Sequence, residues 1–213
     1  MSMSNISIFL GMPIGILGFL FLIWRRLRED YTSNKIFSFG FVLSGCLFVG
    51  FILGLFLQSK ILYPAVFNPS GLWFWFSFVF ISLGFVYSFY VIKFQFFETL
   101  EAVGLAFLFW LFVVFLINSI IFVDLKLLMF SIFVGVLIAF FYFVDTRYKS
   151  FLWYKSGRVG FSGLIIFAIF FLARSVVALI NPNMLSFIGR FDAIISAIAS
   201  FAFFVTLYNL SGI

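Results

Sequence analysis

Two long apolar runs separated by a short polar break constrain this chain more than any other feature. Residues 71–92 (GLWFWFSFVFISLGFVYSFYVI) and 102–119 (AVGLAFLFWLFVVFLINS) flank a break from Lys93 to Glu101 that contains Gln95, Glu98 and Glu101. A helix needs about 20 residues to cross a hydrocarbon core roughly 30 Å thick, and each run is close to that length. The break therefore belongs at a membrane surface, and the flanking apolar runs are membrane neighbours rather than the core of a soluble domain. Composition agrees. The chain is 65% hydrophobic and 9% charged, with a mean hydropathy of +1.28, so it has too few charges to coat a soluble surface.

Read along its length, the sequence predicts an all-α, polytopic membrane protein forming a single transmembrane domain of seven helices. The spans fall at about 5–24, 36–57, 71–92, 102–123, 127–144, 161–180 and 193–210. The first is followed by Arg25, Arg26 and Arg28, the reverse of a cleavable signal, and reads as a retained helix. The first, third and fifth connections hold Arg25, Arg26, Arg28, Lys35, Lys93, Arg147, Lys149, Lys155 and Arg158. The even ones hold only Lys60, Lys126 and Arg190. Lys and Arg accumulate on the cytoplasmic side, which predicts an outside N-terminus and a cytoplasmic C-terminus. Gln58–Ser70, with its two prolines, reads as a loop; the basic connection Asp145–Arg158 suits an anionic lipid surface; a turn is expected across Asn181, Pro182 and Asn183 to Arg190.

Several features are weighed as packing rather than chemistry. Gly11 and Gly15, Gly50 and Gly54, and Ala193, Ser196, Ala197 and Ser200 place small residues on single helix faces, where a neighbouring helix can approach closely. Leu43-Ser44-Gly45-Cys46 has lipobox form, but the sequence stays apolar to Leu57, so these residues too are assigned to packing. Trp73, Trp75, Tyr87 and Tyr90 lie near the ends of span three and read as an interfacial aromatic belt. The 39 phenylalanines are read as apolar filler rather than as an aromatic site. With no histidine in the chain, histidine metal sites and histidine bases are excluded, and no metal or cofactor is expected.

Only Arg174 interrupts an otherwise apolar span. A cation in hydrocarbon requires a partner. No carboxylate is read within the spans, so a lipid phosphate is expected as its counter-ion, held by the planar guanidinium fork, with Asn118 as a neighbour on the same outer half. Asn118 is otherwise expected to bond between helices. Glu98 and Glu101 are expected as surface caps. Arg174 and Asn118 are thus the candidate substrate-binding residues, and no catalytic residue is assigned.

The order of an outside N-terminus, a basic turn after span one, a Gly-led third span, an acidic-aromatic turn and an Arg in the penultimate span resembles the prolipoprotein diacylglyceryl transferase family of bacteria. The resemblance extends from about Gly15 to Leu210. Its motifs are largely replaced. Gly71-Leu-Trp73-Phe74-Trp75-Phe76-Ser77 lacks the family's His-Gly-Gly, Phe112–Asn118 keeps Asn118 without Gly-Arg, and Arg174-Ser175-Val176-Val177-Ala178 keeps the Arg and loses the Glu. The resemblance implies a bacterial inner-membrane protein of diacylglyceryl transferase type, moving a diacylglyceryl group from phosphatidylglycerol to a lipobox cysteine. The missing motifs imply that this transfer is weak or absent. Its partners would be anionic membrane phospholipid and exported lipoprotein precursors, with no nucleic acid. The alternatives are a non-enzymatic membrane scaffold binding phospholipid or a partner helix, and a small-solute carrier.

Overall fold

A computed structural model describes residues 3–60, 71–148, 160–181 and 191–211, with side chains for all of these except 3–10, 59–60 and 211. Seven helices are found among the described residues: α1 (Met3–Leu27), α2 (Ser33–Lys60), α3 (Leu72–Ile92), α4 (Phe96–Phe122), α5 (Leu125–Arg147), α6 (Phe161–Ile180) and α7 (Phe191–Ser211). Six of them, α2 to α7, are long and apolar enough to cross a bilayer. In hydrocarbon every backbone N–H and C=O must be paired within the segment, and a helix achieves this along its whole length. The chain is therefore a polytopic helical membrane protein. Large apolar side chains such as Leu17, Phe41, Leu83 and Ile132 point outward, as lipid rather than water on the outside allows.

Helix α4 is the axis of the bundle. It is buried almost without interruption from Thr99 to Phe115, because α1, α5 and α6 all pack on it. Outside this centre, α2 pairs with α3 and α1, and α7 lies against α6. Several of the small residues make the close approaches expected of them, whereas Gly45 has no neighbour within 4 Å and Ala197 is exposed. A Cβ added at Gly50 would lie 2.6 Å from the Phe76 carbonyl oxygen, and one at Gly54 2.4 Å from the Trp73 Cα, so α2 and α3 touch backbone to backbone. Gly15 makes room for the Trp110 ring on α4. Ser200 donates to the Ala168 carbonyl at 2.8 Å and Ser175 to the Ala193 carbonyl at 2.8 Å, stitching α6 to α7. Cys46 lies inside α2 with its Sγ against Gly84 of α3, a packed position.

Several boundaries differ from those read in the sequence. Helix α4 begins at Phe96, so the polar break shrinks to Lys93–Gln95, and Glu98 and Glu101 lie on the helix. Lys93 closes α3 in the left-handed conformation, at φ 59°. Helix α2 continues to Lys60 and α5 to Arg147, absorbing the ends of two expected connections. The remainder of the loop over 58–70, most of the connection 145–158 and residues 182–190 of the expected turn lie outside the described residues. Of the four aromatics read as an interfacial belt, Tyr87 and Tyr90 are exposed. The belt reading fails for Trp73, which is buried against Trp110 and Phe51 in the core, and for Trp75, whose indole N–H is held by a carboxylate.

Candidate functional site

Arg174 is completely buried, and its counter-ion is a carboxylate of the protein. Its Nη2 donates to Asp192 Oδ2 at 2.6 Å, with both side chains sealed from the surface. The expectation of a lipid phosphate in that position rested on the absence of an acid within the spans. Helix α7 starts two residues earlier than the span read for it, at Phe191, and carries Asp192 into the bundle. The second carboxylate oxygen, Oδ1, accepts from Trp75 Nε1 at 2.9 Å and from the Ser196 hydroxyl at 3.2 Å. Aromatic faces complete the enclosure: the guanidinium carbon lies 3.5 Å from the Phe74 ring centroid and 5.3 Å from that of Trp75. Such contact supplies a cation–π attraction that strengthens when water is excluded. Three helices, α3, α6 and α7, are joined here through one charge pair.

Asn118, also fully buried, donates through Nδ2 to the Val114 carbonyl at 2.8 Å, a bond within its own helix. A short amide one turn above a carbonyl reaches back to it readily.

Next to the Arg174 enclosure runs an apolar slot of about 230 Å³ between α3 and α7, floored by α4 and α6. Phe78, Ile81, Phe85, Leu100, Val103 and Phe203 line it. One end shares a wall with the ion pair: Phe171 stacks on Trp75 and meets Phe78 edge-on, and Phe203 stacks on Phe171. Among the described residues Ser82 is the only polar side chain lining it, and it is turned to its own backbone, donating to the Phe78 carbonyl at 2.7 Å. The slot can hold hydrocarbon; its described lining offers no group that transfers a proton.

A second charged centre occupies the opposite end of the bundle. Arg26, at the end of α1, makes a two-pronged contact with Asp145 at the end of α5, Nη1 to Oδ2 and Nη2 to Oδ1, both at 2.8 Å. The same Nη2 reaches Glu101 Oε2 on α4 at 2.9 Å. Glu101, only 1% exposed, also accepts from the Ser162 hydroxyl at the start of α6 and from the Gly160 N–H at 3.0 Å. It is therefore a buried tie among three helices, α1, α4 and α6, and not the surface cap expected; a carboxylate tolerates burial when its oxygens are filled by donors in this way. Glu98 is half-buried and accepts from Tyr31, whose own hydroxyl accepts the Gln95 N–H at 3.0 Å. Burial pushes the Tyr31 phenol above its ordinary pKa, so it stays a donor.

Reading the sequence identified Arg174 and missed Asp192, Trp75, Arg26, Asp145 and Ser162, which carry as much of the buried polar structure. A signal for the first was present: Asp192 is the only carboxylate beyond Asp145. An intramembrane Arg on the preceding span has no other acid downstream with which to pair. Among the described residues no group of three or more His, Cys, Asp and Glu lies close enough to hold a metal ion. In comparison with known proteins, no family model, no curated protein and no solved structure matches this chain.

Proposed function

We propose that this chain is a seven-span protein of a bacterial inner membrane that holds phospholipid between its helices, on a scaffold of the diacylglyceryl transferase type with weak or absent transfer chemistry. The observation that carries this reading is the apolar slot between α3 and α7, lined by Phe78, Phe85, Leu100 and Phe203 and backed by the Arg174–Asp192 pair. The helices around it are of membrane-crossing length, so the material beside the slot is acyl chain. An occupant entering sideways from the bilayer meets apolar walls along the slot and the aromatic enclosure of a charge pair at its end.

Support for the transferase-type scaffold is chemical. The family pattern places a Glu one turn after its Arg, where this chain has Ala178; here Asp192 of α7 supplies a carboxylate to Arg174 instead. Against transfer stands the closure of that pair. Moving a diacylglyceryl group to a thiol needs a base for the thiol proton and cations for the phosphate leaving group. Asp192 and Arg174 neutralise each other, and neither lines the slot. The orientation proposed, N-terminus outside and C-terminus cytoplasmic, is supported by the gathering of Arg25, Arg26, Lys35, Lys93 and Arg147 on the end where α1, α3 and α5 finish.

The test has two arms. Expressed in cells depleted of their own diacylglyceryl transferase, the protein is expected not to restore modification of a lipobox precursor; restoration would make it an active enzyme. Purified in mild detergent, it is expected to carry phospholipid whose amount falls in a Val103→Trp variant that fills the slot. Unchanged phospholipid in that folded variant would remove the slot as the binding site.

A further inference from the structure

A second groove, of about 550 Å³, lies on the lipid-facing side between α5 and α6. On α5 it is lined by Lys126, Met129, Phe130 and Phe133, and on α6 by Ile169, Leu172, Ala173, Val176 and Val177. Both sets follow the spacing of one helix face, so the groove runs along the helices for roughly 12 Å at 1.5 Å per residue. All of its described lining is apolar except Lys126. That residue is the second of α5, and Val177 is near the end of α6, so the single cation marks the end of the groove at the membrane surface while Phe133 and Ile169 mark its depth. The nearby Asp124 carboxylate caps α5, accepting the backbone N–H of Lys126 at 2.9 Å, and among the described residues no carboxylate makes an ion pair with the Lys126 ammonium.

We propose that this groove is a binding site for an anionic phospholipid, with an acyl chain along α5 and α6 and the headgroup phosphate at Lys126. A cation at the surface end of an apolar trough matches the one class of molecule that carries a phosphate directly above a hydrocarbon chain. A second copy of the chain fits less well, since a symmetric pairing through the groove would bring Lys126 of one copy toward Lys126 of the other. The site is separate from the slot between α3 and α7, and neither depends on the other.

The experiment uses the full chain in nanodiscs made from equal parts phosphatidylglycerol and phosphatidylcholine, followed by native mass spectrometry of the lipids that stay bound. Wild type is expected to retain phosphatidylglycerol in preference. Lys126→Ala is expected to lower that preference roughly five-fold, the share that one lysine at a membrane surface supplies, and Lys126→Arg to keep it. Ala173→Phe, which fills the trough, is expected to reduce retention of both lipids. Lys93→Ala, at the other end of the bundle, is the charge control and is expected to change nothing. An unchanged preference in Lys126→Ala, or an equal loss in Lys93→Ala, overturns the proposal. So does a wild-type dimer that Ala173→Phe converts to monomer, which would make a second copy the occupant. Loss of lipid in Val103→Trp without change in the phosphatidylglycerol preference concerns only the slot.

Discussion

The two charged centres at opposite ends of the bundle solve the same problem in different ways. Arg174 and Asp192 form a charge pair, both fully buried, walled by Phe74 and Trp75. Arg26 serves two carboxylates, is 31% exposed itself, and shares Glu101 with a serine hydroxyl and a backbone N–H. The first is dry and, among the described residues, has one carboxylate to balance its cation. The second is partly wet and redundant. A charge sealed in hydrocarbon loses its compensation when its counter-ion goes, because no water can replace it, whereas a networked charge near the surface keeps alternative donors. Location also differs in consequence: the dry pair fastens α7 to α6 and α3, and the network fastens α1, α4, α5 and α6 together.

The contrast is broken most severely by removing one member of the dry pair. Asp192→Ala is expected to destabilise the folded bundle by about 3–5 kcal/mol, the cost of leaving a buried charge uncompensated, while Arg174→Met with Asp192→Leu together recover most of it. Equilibrium unfolding in bicelles checks this, and an Asp192→Ala variant as stable as wild type would show that Arg174 does not depend on Asp192. Arg26→Ala should cost less, about 1.5–3 kcal/mol, since the hydrogen bonds lost are to charged acceptors but Glu101 keeps Ser162 and Gly160. A loss as large as that of Asp192→Ala would erase the distinction between the centres. Smallest is the effect of Ser162→Ala, about 1.5 kcal/mol, the low end of the range for one hydrogen bond to a charged acceptor, here Glu101. Salt sharpens the comparison further: raising ionic strength should reduce the cost of Arg26→Ala and leave that of Asp192→Ala unchanged, since screening reaches only charges near solvent.

How much of this was legible in the sequence follows from the range of each interaction. The small-residue faces were readable because they are local, a spacing of four along one helix, and Gly50 and Gly54 do meet the α3 backbone. The need of Arg174 for a partner was readable from the chemistry of a cation in hydrocarbon. The partner itself was not, since Asp192 sits 18 residues on, just before the span read as 193–210. Trp75 was misread for a related reason. An indole near the end of a span looks the same whether it faces headgroups or a buried carboxylate, and only the position of α7 decides.

Arg26 gives the sharper example. As a sequence feature it is one of nine basic residues in the odd connections and bears on orientation alone. Its partners Glu101 and Asp145 lie 75 and 119 residues away, and nothing in their neighbourhoods announces the pairing. What the sequence determined by itself is the class of the molecule: runs of apolar residues about 20 long leave helices crossing a bilayer as the way to pair every backbone group. Which charges meet was decided by tertiary structure. Helices in lipid are apolar on every side, so the sequence carries no polar stripe to mark the inward face, and which buried charges meet depends on how α1, α5 and α6 pack on α4 and α7 on α6.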